Sequence, residues 1–311
     1  MVKLKEGGRN MENYSHKYKI SPELTLYGAY WGVKKPRANV LVITGMQEHA
    51  MRYTEFAKFL NEAEFSVYSI DYFGQGENVT QGGHTLGVLP NHGFEKFVTA
   101  LGTFVENLAK DKLPLYVLGH SMGSFLAQRF VQRYPLLSKK VVIVGSNGPS
   151  ALFGMGKAIA ALTVNNRNRD KESKLLASMA IGAYSKAVKN ARTPADWLSY
   201  NEDNVNTYLA HPLDGKPSSK GFYLELLRGT SNLYKKKHYV DVPRDLPIFI
   251  IAGAEDPVGA NGKGIIKLGK FYAKLGFTNL EVKIYEGMRH EILNETDRRD
   301  VYADVLSFLM R

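Results

Sequence analysis

The sequence predicts an α/β fold: a mostly parallel central sheet with helices on both faces, interrupted by a helical insertion. Three observations carry this. Short β-branched runs recur along the chain, several of them apolar at nearly every position, as in parallel strands covered on both sides. Amphipathic helix patterns alternate with them over short links. One interval of roughly 100 residues, from Ser146 to Pro247, breaks the rhythm and is far too long for a single crossover.

The strand runs, in order, are LTLYGAYW (24–31), NVLVITG (39–45), FSVYSIDY (65–72), LYVLGH (115–120), VVIVGS (141–146), PIFIIAG (247–253) and LEVKIYE (280–286). Gly, Pro or Asp bounds most of them, which is the usual strand punctuation. Among the helix patterns, MRYTEFAKFLNEA follows the second run and FEKFVTALGTFVENLAK precedes the fourth. SMGSFLAQRFVQRY starts directly after the fourth run, GIIKLGKFYAKLG follows the sixth, and DVYADVLSFLMR closes the sequence. The long interval contains ALFGMGKAIAAL, KLLASMAIGAY and GFYLELLRGTSNLYKKK, which read as helices rich in Met, Leu, Phe and Tyr. The expected organisation is a core of residues 1–146 and 241–311, with a helical insertion, 147–240, over the sheet. No internal repeat or low-complexity segment interrupts it.

A content of 44% hydrophobic and 23% charged residues is that of an ordinary globular chain. No apolar run reaches about 18 residues, so no membrane-spanning helix is expected. The opening MVKLKEGGRNMENYSHKYKI has lysines but no apolar stretch behind them, so a cytoplasmic location is the expectation. There is no cysteine, which removes disulfides, thiolate metal sites and a cysteine nucleophile together. Covalent catalysis would have to use Ser, Thr, Lys or a carboxylate. The net charge is +11, yet the basic residues are scattered and no basic stripe is interleaved with stacking aromatics. A nucleic-acid partner is therefore not expected. A solvated basic surface and attraction to anionic lipid remain as readings.

The stretch LYVLGHSMGSFLAQRF places Ser121 between Gly119 and Gly123. A bare G-x-S-x-G arises by chance roughly 0.15 times in a chain of this length and glycine content, so the string alone is weak. Its context is stronger. A nucleophilic serine on a strained turn needs a strand ending just before it and a helix starting just after it, and both patterns are present. The helix start also brings free N–H groups and positive potential beside Ser121, which favours a developing oxyanion.

A seryl hydroxyl is inert at neutral pH without a base and an acid to orient that base. Asp256 falls just past the sixth run, in IIAGAEDPVGANG, and His290 just past the seventh, in KIYEGMRHEILNE. All three would stand at the carboxyl edge of the parallel strands, where sites assemble in open α/β sheets. The order Ser121, Asp256, His290 fits this strand–elbow–helix arrangement. Glu255 is the rival acid, and Asp256 has the alternative role of capping its turn. His49, His84 and His92 precede the serine, which is the wrong order. The oxyanion donors would be the backbone N–H groups of Met122, directly after the serine, and Met46, in the loop after NVLVITG.

The chain resembles the monoacylglycerol lipase and lysophospholipase group of serine α/β-hydrolases, from about residue 25 to 311. The resemblance rests on TGMQEHAMRYTEFAKFL, IDYFGQGEN, GHSMGSF, GAEDPVG and EGMRHEILNE in that order. The family's first loop reads His-Gly-small-Gly-Glu-His followed by Arg-Tyr. Here Thr44 stands for the leading histidine and Gln47 for the second glycine, while Glu48, His49, Arg52 and Tyr53 are kept. The resemblance implies that Glu48, Arg52 and His120 shape the polar, head-group end of the site. The plainer reading is that Glu48 and Arg52, four apart, form a local ion pair.

It further implies that the insertion is a cap covering an acyl tunnel, with peripheral contact to anionic membrane or plain packing on the core as its two uses. The expected function is hydrolysis of single-chain acyl lipids, monoacylglycerol or lysophospholipid, through an acyl-enzyme, with no metal or organic cofactor. Peptidase or thioesterase chemistry on the same triad is the alternative. A non-catalytic binding protein would usually lack a triad member, and here all three candidates are present.

Overall fold

The computed structural model describes residues 14–311. Eight strands form one sheet: β1 (Ser15–Lys19), β2 (Thr25–Trp31), β3 (Ala38–Ile43), β4 (Phe65–Ile70), β5 (Leu115–His120), β6 (Lys140–Val144), β7 (Ile248–Gly253) and β8 (Leu280–Tyr285). Their order is β1-β2-β4-β3-β5-β6-β7-β8. β1 and β2 join antiparallel, β2 meets β4 antiparallel, and β3 to β8 run parallel.

The period-2 geometry of a strand explains why the central runs are apolar throughout. On β3, Leu41 and Ile43 face one side and Val40 and Val42 the other, and all four are buried. The first side packs on α3 (Gly93–Leu108), α4 (Met122–Arg133) and α10 (Lys263–Lys274) through Phe97, Leu126, Phe130 and Leu268. The second packs on α1 (Thr54–Glu62) and α11 (Arg298–Met310) through Phe56, Leu60, Val301 and Val305. The remaining core helix, α2 (Glu77–Thr80), is a single turn beside β2. This is the α/β-hydrolase fold.

Between β6 and β7 the chain forms α5 (Ala151–Thr163), α6 (Lys174–Ala177), α7 (Ala183–Ala187), α8 (Glu202–Ala210) and α9 (Lys220–Leu233), with a π-helical turn at Ser178–Gly182. Side-chain oxygens of Ser150, Ser173, Asn201 and Ser219 cap α5, α6, α8 and α9. α5 lies along α9, and α9 lies on α3 and α4, which joins the insertion to the core. No helix among the described residues is long and apolar enough to cross a membrane.

Seven strands fall within the predicted runs or start one residue before them. The differences at their ends are functional: Thr44–Gly45, Asp71–Tyr72 and Gly145–Ser146 leave the sheet to build loops at its carboxyl edge. β1, α2 and α8 lie outside the sequence expectation. SHKYK has one buried residue, Tyr18, and is held by its pairing with β2 rather than by apolar patterning. The helical pattern of α8 is weak because only Val205 and Tyr208 are buried.

Candidate active site

Ser121 follows β5 and caps α4 with φ +53° and ψ −120°, a left-handed conformation that a serine adopts only where its surroundings impose it. The constraint is visible in the flanking glycines. A β-carbon on Gly123 would collide with the carbonyl oxygens of Ile43 and Thr44, and one on Gly119 with the carbonyl of Gly123. Only glycine lets strand, turn and helix pack this closely. The Ser121 amide is tied back to the Val144 carbonyl at 3.0 Å, fixing the turn against β6.

His290 and Asp256 sit on the loops after β8 and β7. His290 Nδ1 donates to Asp256 Oδ1 at 3.0 Å, and both side chains are buried. A carboxylate accepts only, so the Nδ1 proton leaves the lone pair on Nε2. The Val258 amide also donates to Asp256 Oδ1, at 2.9 Å, and holds the carboxylate in place. The rival Glu255 is exposed and accepts from the Tyr200 hydroxyl, so the pair is His290 with Asp256. Ser121 and His290 line the same cavity.

Met122 opens α4, so its amide has no acceptor within the helix. Met46 lies across the cavity in the loop after β3, beside Gly45, where an added β-carbon would approach Ser121 Cβ to 3.1 Å. A residue the sequence did not single out shapes this loop. Gln75 accepts from the Gln47 amide at 2.8 Å and donates to the carbonyls of Gly45 and Glu48 at 3.0 and 3.2 Å. Gln47, standing where the family pattern has glycine, has φ +61°. That value explains the glycine: it reaches this region without strain, whereas glutamine must be held there. Besides Gln75, the holders are Gly215, whose amide donates to the Gln47 carbonyl at 3.0 Å, and Ser218, which accepts from its side chain at 3.3 Å.

Glu48, Arg52 and His120 do meet in a buried network, of which Glu48 and His120 line the cavity. Glu48 accepts from the Gly45 amide, from the Tyr53 hydroxyl at 2.8 Å and from Arg52 at 3.1 Å. His120 Nδ1 lies 3.2 Å from Glu48 Oε1, and Nε2 lies 3.3 Å from the His290 carbonyl. Burial opposes ionisation of Glu48, but the hydrogen bond and charge of His120, then the charge of Arg52, outweigh it and hold its carboxyl down at about 2. Burial likewise disfavours charge on His120, and Glu48 reverses this and raises it.

Arg52 makes two 2.6 Å bonds to Glu291, one to Asn204 at 2.9 Å and the bond to Glu48. Its terminal donors are all spent within the protein, and it does not line the cavity. The local ion pair is present, and it extends into a bridge from the core to α8. The head-group role expected of Arg52 is replaced by this bridging one, because a guanidinium saturated by two carboxylates and an amide has no terminal N–H left for a ligand.

Three further residues near His290 escaped the sequence reading. The Trp197 ring lies 5.1 Å from the imidazole, centroid to centroid. Glu291 accepts from Arg52 and from Asn204 Nδ2 at 2.7 Å. The buried Glu295 accepts from Ser199 Oγ and from the amides of Tyr200, Asn201 and Arg289. Adjacency to His290 was the available signal for Glu291, and nothing local marks Trp197 or Glu295.

The cavity has a volume of about 330 Å³. Its polar end holds Ser121, His290, Glu48 and His120, and its walls are apolar side chains of the insertion, among them Phe153, Ile159, Leu176, Tyr184 and Leu227.

A family model described as serine aminopeptidase, S33, matches residues 34–297. The chain is 26% identical over 275 residues to the monoglyceride lipase of Mus musculus, covering 87% of this chain and 81% of that protein. It is 23% identical over 282 residues to phospholipase YtpA of Bacillus subtilis (strain 168), covering 89% and 97%. Among solved structures, a thermostable carboxyl esterase from Bacillus coagulans in complex with glycerol superposes with a TM-score of 0.85 at 23% identity, over 95% of this chain and 97% of that one. A lipase in an open form superposes at 0.82 with 25% identity, over 92% and 94%. With a model match spanning most of its length and an elbow serine sharing a cavity with a histidine–aspartate pair, the chain belongs to the monoacylglycerol lipase and lysophospholipase-like family of serine α/β-hydrolases.

Proposed function

We propose that this serine hydrolase cleaves carboxylic esters of single-chain acyl lipids, monoacylglycerols or lysophospholipids, through an acyl-enzyme on Ser121. His290 Nε2 takes the Ser121 proton as Oγ attacks the ester carbonyl, and Asp256 holds the imidazole and stabilises its positive charge. The N–H groups of Met46 and Met122 receive the developing oxyanion. Collapse of the tetrahedral intermediate expels the alcohol with the proton from His290, and a water activated by the same histidine releases the acid.

The observation carrying this reading is the cavity: one apolar chamber, at the small end of the usual range of about 300–1,000 Å³, lined by Ser121 and His290. It suits one hydrocarbon chain. The exposed Leu152, Met155, Leu162 and Leu175 on the insertion, on a chain of net charge +11, suit contact with an anionic lipid surface. A peptidase reading needs an acidic group free to hold the substrate amine. Glu48 and Glu291, the carboxylates lining the cavity, are both engaged by Arg52, which favours the ester.

The test is a series of monoacylglycerols and lysophospholipids of increasing chain length, with aminoacyl amides and acyl thioesters as competitors, assayed on wild type and Ser121→Ala. The expected result is a rise in kcat/KM from acetyl to long acyl chains, lost in Ser121→Ala. A preference for acetyl or aminoacyl substrates, or activity surviving the substitution, would overturn it.

A further inference from the structure

The residues on either side of His290 grip the residues on either side of Trp197. The Glu291 amide donates to the Leu198 carbonyl at 2.7 Å, and Arg289 Nη1 donates to the carbonyls of Asp196 and Ser199 at 2.6 and 3.4 Å. These bonds join the loop after β8 to the segment just ahead of α8, so the insertion sets one ring against the other. The two ring centroids stand 5.1 Å apart, with planes 34° from parallel. We propose that Trp197 is a positioning residue for the hydrolytic reaction: its ring face holds the His290 imidazole in place and stabilises the imidazolium formed each time His290 takes a proton. The inference rests on the Ser121–His290 chemistry proposed above.

The geometry carries the first part of the argument. Flat rings set side by side would press their edge atoms together at this separation, so the two overlap face to face with an offset. A neutral imidazole gains from such stacking. A protonated one gains more, because the indole face is the negative side of its quadrupole and attracts a cation within about 6 Å. Tyr184 on α7 packs on the indole in turn, with centroids 5.2 Å apart, so the Trp197 ring is itself held. The imidazole rests close to Gly145 at the end of β6, where an added β-carbon would lie 3.1 Å from His290 Cε1.

The second part is the charge that His290 must carry. Asp256 answers it at Nδ1. The other ring in contact with His290 among the described residues is His120, 4.7 Å away, which Glu48 inclines toward holding a proton. A cation there opposes a second one on His290, and the Trp197 face offsets that opposition.

Both halves of the reaction pass through the imidazolium, first when Ser121 attacks the ester and again when water attacks the acyl-enzyme. Stabilising that ion speeds acylation and deacylation alike. Trp197 also lines the cavity, but a residue that only walls the chamber would act on substrate binding.

The experiment follows burst and steady-state hydrolysis of p-nitrophenyl octanoate, which separates the two steps. Trp197→Leu should slow acylation and deacylation by the same factor, about 2–30-fold, with KM unchanged. Trp197→Phe should recover part of the loss in both steps. A second series keeps the shape of the site. The chain has two tryptophans, and the other, Trp31, is buried in the core and does not line the cavity. Protein grown on tryptophan with one, two or three ring fluorines, which drain the negative face and barely alter its outline, should slow stepwise in both steps. The same series in Trp197→Phe should be flat. Wild-type rates in Trp197→Leu, a loss confined to KM, or rates indifferent to fluorination would overturn the proposal and leave Ser121 as the nucleophile. Activity surviving in Ser121→Ala would overturn it together with the reading it rests on.

Discussion

The two halves of the insertion are built on opposite principles. From Ala151 to Ala187 it consists of α5, the short α6, the π-turn and α7. Leu152, Met155, Leu162, Leu175 and Met179 are exposed, three of them along the cavity, while Gly156, Ala160 and Leu176 are its buried residues. From Arg192 to Ala210 it is fastened to the core by polar anchors. Glu295 holds Ser199, Tyr200 and Asn201, Glu291 and Arg52 hold Asn204, the Glu291 amide donates to the Leu198 carbonyl at 2.7 Å, and Arg289 stacks on Tyr200 at 3.7 Å. Every one of these anchors except Arg52 lies within five residues of His290. The second half thus positions the histidine loop, and the first half supplies the apolar wall. Polar networks need fixed geometry, whereas apolar walls tolerate variation in what they touch.

This contrast can be broken first at its chemical centre. His290→Ala should lower kcat/KM about 10⁴-fold, with the thermal midpoint little changed, as steady-state assays and calorimetry would show. Glu295→Gln comes next. It replaces a buried carboxylate serving several donors, and denaturant unfolding should record a loss of about 2–3 kcal/mol. Activity should fall with it through kcat more than KM, because the anchor holds the histidine loop and not the acyl chain.

Glu48→Gln sharpens the comparison by pH. In the fold the Glu48 carboxyl is held near 2, below its range in the unfolded chain. Its stabilisation is therefore present above the ordinary glutamate range and lost as pH falls toward 2. His120 is raised, so its contribution is full below the ordinary histidine range and disappears as pH rises through the higher folded value. The thermal midpoint of wild type should fall at both ends, and the Glu48→Gln curve should be flatter at both. Smallest of all, Leu162→Ser on the exposed face of α5 should change stability by no more than about 0.5 kcal/mol. An effect on hydrolysis should show only with substrate presented in anionic vesicles.

Much of this architecture is legible in the amino-acid order because its signals are local. The runs around Ser121, Asp256 and His290 each end a strand, so strand–loop punctuation alone brings them to one edge. Gly119 and Gly123 are readable because the elbow's crowding forbids any side chain there. Arg52 shows the limit. Its spacing from Glu48 announces an ion pair, but its bidentate bond to Glu291, 239 positions away, is a product of the fold. Glu295, Trp197 and Gln75 are hidden for the same reason: each acts on backbone or rings distant in the chain. The segment SHKYK is a strand because β2 offers it an edge, a tertiary fact without periodicity in sequence.

The central claim is that Ser121, which lines an apolar chamber, is the nucleophile. Intact and peptide mass spectrometry after treatment with alkyl fluorophosphonates of increasing chain length tests it without assuming a head group. The account predicts one adduct, on Ser121, forming faster with a long alkyl chain than with methyl and absent from Ser121→Ala. An adduct elsewhere, no adduct, or labelling indifferent to chain length would contradict it.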